Sequence, residues 1–125
     1  MTDTFDYSLA SQNLRNREIE KTNARRQLHE KASGDAERII TTIREQFNPA
    51  IIYQWGSLLT PDQFDENSDI DIAVEGLSGP DQFFALRNAA VTLTELSLDI
   101  VEFESIDDLA RDSIITHGKV VYERK

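Results

Sequence analysis

The sequence predicts a mixed α/β (α+β) domain, a small mixed β-sheet flanked by helices and led by a long N-terminal helix. Three observations carry this. Residues 8–47 contain no proline and are rich in Arg, Glu, Lys, Gln and Ala, the composition of one long helix. Strand-length apolar runs then recur at about 50–55, 70–74 and 97–103, with a helical pattern between the last two. Finally, 125 residues, 39% hydrophobic and 29% charged, suit one domain around one core.

Taken in order, the first seven or so residues are expected to fray, and helix follows to Phe47. Its first part carries only a thin apolar stripe, Leu9, Leu14, Ile19 and Leu28, which suits an exposed or partner-covered helix. Its second part, with Ile39, Ile40, Ile43 and Phe47, should pack on the core. Ser33-Gly34-Asp35 is the expected weak point between the parts, because Gly costs ~1 kcal/mol relative to Ala in a helix. On this reading residues 1–34 form a helical extension and residues 35–125 the domain proper.

Asn48-Pro49 ends the helix, since a residue before proline avoids helical geometry. A central strand is expected over Ala50 to Trp55, broken by Gly56. A loop or short helix then runs to Ser68 and a second strand covers Ile70 to Val74. Pro80 opens a helix to about Thr92, and a third strand spans Ser97 to Phe103. Ser105 is expected to cap a helix with Asp107 and Asp108 in its first turn, where the helix dipole favours acids. That helix stops at His117-Gly118, and a short strand, Lys119 to Tyr122, closes the chain.

The formal net charge is -10. Residues 1–50 balance, eight Lys/Arg against eight Asp/Glu, while residues 51–125 carry five against fifteen. Such an acidic portion repels phosphate backbones and argues against direct nucleic-acid binding, although clustered carboxylates can hold divalent cations or meet a basic partner. No apolar run approaches the length of a membrane span, and the N-terminus lacks the pattern of a secretory signal. There is no cysteine, which removes disulfides, thiolate metal sites and cysteine nucleophiles and makes a cytoplasmic setting the expectation.

The candidate chemistry lies in "YQWGSLLTPDQFDENSDIDIAV", residues 53–74. Strand side chains alternate between faces, so Asp69 and Asp71 share one face and Ile70 and Ile72 take the other. Two ionised carboxylates that close repel unless a cation sits between them, and Mg²⁺ takes such oxygen ligands together with substrate phosphates. Asp99 stands among Leu98, Ile100 and Val101 in the third strand. Beside the second strand it would complete a triad of the kind that serves two-metal phosphoryl or nucleotidyl transfer. Gly56 permits positive φ and a close backbone approach to a phosphate, and a helix beginning near Ser57 would favour an anion.

A calcium loop is the rival, with Asp65, Asn67, Asp69 and Asp71 at its first four alternate positions. It fails because Ile70 and Gly76 stand where such a loop needs Gly and a bidentate Glu. His29 reads as a solvated helix residue and His117 as a helix-end cation. Tyr53 and Trp55 read as core, and Glu102 and Glu104 as solvated. Arg87, Arg111, Lys119 and Arg124 are the cations that could face a phosphate.

Together these residues resemble the nucleotidyltransferase superfamily of the DNA-polymerase-β type. The motif is an apolar strand (Tyr53–Trp55), Gly56-Ser57, a gap, Asp69-Ile70-Asp71, and a third carboxylate, Asp99, on a later strand. The short length and the ending "THGKVVYERK" are similar to the minimal nucleotidyltransferase (MNT) subgroup, over roughly residues 35–125. One departure is Leu58-Leu59-Thr60, where many such domains carry an Ala-Arg-Gly-like segment.

The resemblance implies a polymerase-β-like fold and Mg²⁺-dependent transfer of AMP from ATP, with two ions. It implies Gly56 and Ser57 at the triphosphate, Asp69 and Asp71 as metal ligands, and Asp99 as metal ligand or catalytic base. It also implies an antitoxin paired with a HEPN ribonuclease toxin in a hetero-oligomer, silencing it by binding or by adenylylating a tyrosine. A non-catalytic binding antitoxin and a small-molecule nucleotidyltransferase are the alternatives.

Overall fold

The structure, a computed structural model, describes residues 7–125. The fraying expected at the start falls on positions outside the described residues, apart from Tyr7, which is already helical. The long helix α1 spans Tyr7–Phe47, 41 residues. Then come β1 (Ile51–Trp55), β2 (Ile70–Glu75), α2 (Pro80–Val91), β3 (Leu98–Glu102), α3 (Asp108–His117) and β4 (Lys119–Glu123). The Gly56–Ser68 connection holds two single turns of 3₁₀ helix, Ser57–Leu59 and Pro61–Gln63.

The sheet order is β3-β2-β1-β4. β1 runs antiparallel to both neighbours, and β2 and β3 are parallel, with α2 as the crossover that a parallel pair requires. The expected fold class therefore holds. Ile52, Ile70, Ile72 and Val74 point to one face and pack, fully buried, beneath α1 and α2. A smaller apolar group, Tyr53, Ala73, Phe103 and Ile114, lies on the other face under α3. There the Tyr53 and Phe103 rings stack 4.7 Å apart.

Along α1 exposed residues give way to packed ones. Leu9, Leu14 and Ile19 are exposed, and packing against the core begins at Leu28 and continues through Ala32, Ala36, Ile39 and Ile43. The expected weak point at Ser33-Gly34-Asp35 is uninterrupted helix. Its local penalty is offset by Asp35, which is buried, accepts a 2.6 Å hydrogen bond from Thr94 Oγ1 and pairs with the Arg38 guanidinium. A buried carboxylate so partnered ties α1 to the loop before β3.

α1 ends as expected. Asn48 adopts positive φ and donates its N–H to the Ile43 carbonyl, and Pro49 is buried. Tyr122 Oη donates to Asn48 Oδ1 at 2.5 Å, and Arg124 donates to the Asn48 carbonyl at 2.9 Å. Glu104 is not simply solvated: its carboxylate accepts the Gly76 N–H at 2.8 Å and fixes the turn after β2.

Candidate active site

β2 positions the site by its alternation. Ile70, Ile72 and Val74 are sealed in the core, so Asp71 must leave by the opposite face, where it is half-buried. In register, Asp71 sits beside Trp55 of β1 on one side and Asp99 of β3 on the other. Trp55, Asp71 and Asp99 thus form a row across three strands at one end of the sheet. Asp99 is exposed, and Asp69 stands half-buried one residue ahead of β2.

The electrostatics show that the carboxylates sense one another. Burial pushes the Asp71 carboxyl up to about 7, and the negative charges of Asp99 and then Asp69 add to the rise. Three acids with no cation among them raise the energy of the ionised state. Among the described residues, no three His, Cys, Asp or Glu side chains stand in metal-holding geometry. The side chains whose charges act on Asp71 are nevertheless both carboxylates, the chemistry that a hard divalent ion requires, and such an ion would offset their repulsion.

Gly56 is fixed by two constraints. Its φ is +84°, and a Cβ built there would lie 2.1 Å from Asp71 Oδ2. The backbone after β1 therefore leans on the Asp71 carboxyl group, and any side chain would displace one or the other. The close approach expected at Gly56 is made, within the protein itself, to the Asp71 carboxylate.

Ser57 opens a helix of only three residues, so the expected helix N-terminus is reduced to one turn without a substantial dipole. Among the described residues the Ser57 hydroxyl makes no hydrogen bond, which leaves it available to a ligand. Leu58 enters the main core, and this is what the Leu58-Leu59-Thr60 segment does in place of an arginine. Of the four candidate cations, Arg111 is held by Asp108 and the Ile106 carbonyl and Arg124 by Asn48. Lys119 lines a groove of about 530 Å³ together with Leu58 and Leu59, beside the Gly-Ser loop. Arg87 projects into solvent from α2.

Sequence reasoning misplaced His29. It is half-buried, and its Nε2–H donates to the Leu58 carbonyl at 2.8 Å while the ring meets Phe64 edge-on. No local pattern marks it, because its partners lie about thirty residues away.

The model of the family described as "Polymerase beta, Nucleotidyltransferase" matches residues 37–125. The chain belongs to the polymerase-β nucleotidyltransferase family. The match covers the sheet, α2, α3 and residues 37–47 of α1, and leaves outside it both the projecting part of α1 and its first core-packed residues, Leu28, Ala32 and Ala36. Among curated proteins none matches.

Solved structures that resemble this nucleotidyltransferase include a toxin-antitoxin crystal structure with AMP-PNP. It is 26% identical, with a TM-score of 0.58, over 72% of this chain and 74% of the other. The toxin-antitoxin MntA-HepT is 23% identical, with a TM-score of 0.55, over 74% and 73%. A complex of tri-AMPylated Shewanella oneidensis HEPN toxin with MNT antitoxin is 22% identical, with a TM-score of 0.56, over 74% and 73%. The last two likenesses concern the fold.

Proposed function

We propose that this nucleotidyltransferase is a cytoplasmic MNT antitoxin that transfers AMP from ATP to a tyrosine hydroxyl of a HEPN-type ribonuclease toxin, using Mg²⁺. The observation that carries the reading is the Asp71 carboxyl group, half-buried beside Asp99 and pressed by the backbone of Gly56. The family match supports the reaction class. The AMP-PNP and tri-AMPylated complexes among the similar structures support the nucleotide and the acceptor.

In this reading Asp69, Asp71 and Asp99 would hold two Mg²⁺ ions, which would supply charge neutralisation at the triphosphate and polarise the acceptor oxygen. Gly56 and Ser57 would hold the triphosphate, Gly56 by exposed backbone and Ser57 by its hydroxyl. The acceptor oxygen would bond to the α-phosphorus as the bond to the β-phosphate oxygen breaks and pyrophosphate leaves. Asp99, the most exposed of the three acids, would accept the proton or serve as the outer ligand.

Residues 35–125 would be the catalytic domain, with 1–34 an extension whose exposed helix meets the toxin in a hetero-oligomer. That exposed helix also favours a second reading, neutralisation by binding alone. Incubation with α-phosphate-labelled ATP, Mg²⁺ and the product of the neighbouring gene separates the two. Label should pass to the partner and vanish with Asp69→Asn/Asp71→Asn. A partner that is never labelled, yet is neutralised equally by that variant, assigns the protein to the binding class.

A further inference from the structure

We propose that His29 is a positioning residue for the nucleotide loop, resting on the nucleotidyltransferase reading above. The loop from Gly56 to Phe64 has no regular structure beyond its two single 3₁₀ turns, yet it must hold Gly56 and Ser57 still against Asp71. Two side chains anchor it in the core, Leu58 at 3% exposure and Phe64 at 1%. His29 touches both anchors. Its Nε2–H donates to the Leu58 carbonyl at 2.8 Å, and its ring stands edge-on to Phe64 with centroids 6.2 Å apart. A carbonyl can only accept, so the Nε2 position must carry a proton in this contact.

The bond crosses from α1 to the residue directly after Ser57. It therefore limits the pivoting of the Ser57 hydroxyl and of the amides that follow it. His29 lies outside residues 37–125, the span matched by the family domain, and one residue after Leu28, where α1 joins the core. The loop geometry is thus set in part by a residue from the extension.

The test uses the full chain with two variants. His29→Phe keeps a ring against Phe64 and loses the N–H. His29→Gln loses the ring but can present a side-chain N–H near the same position. Loss of one hydrogen bond should raise the KM for ATP about fivefold to tenfold in His29→Phe, with kcat nearly unchanged. It should also speed hydrogen exchange at the Leu59 and Thr60 amides without nucleotide. His29→Gln should restore both to near the wild-type values. Wild-type KM and amide protection in His29→Phe overturn the proposal, as does equal loss in the two variants. If wild-type protein transfers no nucleotide, the nucleotidyltransferase reading fails, and amide exchange alone still decides whether His29 holds the loop.

Discussion

On the α1/α2 face of the sheet, Ile52, Ile70, Ile72 and Val74 are sealed from water. On the opposite face the alternate residues of the same strands are Trp55, Asp71 and, across β3, Asp99. One face gains stability from every residue it buries. At its acidic end the other face holds carboxylates, and burial first, then the charges of Asp99 and Asp69, raises the Asp71 pKa. Side-chain alternation keeps the two roles apart residue by residue, so a change on one face need not be felt on the other.

The sharpest test of that separation is activity. Asp71→Asn should lower nucleotidyl transfer by about a thousandfold, several kcal/mol of transition-state stabilisation, while leaving the fold intact. Its neighbour in sequence should behave in the opposite way. Ile72→Ala deletes a fully buried side chain and should lower stability by about 2–5 kcal/mol in denaturant melts, with residual activity tracking the folded fraction. Equal effects of the two substitutions on stability would break the comparison.

Gly56→Ala joins the faces, because the new methyl group meets Asp71 at a positive-φ position. It should cost about 1–3 kcal/mol and also lose nucleotide affinity, measured by melting with and without Mg²⁺-ATP. The last effect is with pH. The Asp71 pKa is raised in the folded state from 3.8 to about 7, so the folded protein binds this proton more tightly than the unfolded chain. That contribution to stability is fully present below about pH 4 and is lost as pH rises through about 7. Stability of the metal-free protein should therefore fall between about pH 4 and 7, and Asp71→Asn should flatten the fall.

The strands were legible because their two-residue period survives without tertiary help, and Pro80 and Asn48-Pro49 marked helix ends for local steric reasons. The pairing of Asp71 with Asp99 depends on register between parallel strands joined by a crossover, which no local signal specifies. Asp99 could be nominated from its apolar neighbours but not placed. Asp35 was misread because its neighbour Gly34 weakens a helix locally, whereas its compensation comes from Thr94, 59 residues away. His29 was misread for the same reason, since Leu58 and Phe64 lie on a distant loop. The Gly56 constraint was half legible: the residue type announced a close approach, and only the fold identified the Asp71 carboxyl group as what it approaches.

Thermal melting of wild type and Asp71→Asn at pH 8, with and without Mg²⁺-ATP, tests the division of the two faces most directly. Without ligand the variant should be the more stable, because it lacks a carboxylate that is ionised while half-buried and beside other acids. With Mg²⁺-ATP at a hundredfold over its Kd, wild type should gain ~2.7 kcal/mol, whereas the variant should gain little. A wild type that does not shift, or two proteins that shift equally, would contradict the assignment of Asp71 to a nucleotide–metal site.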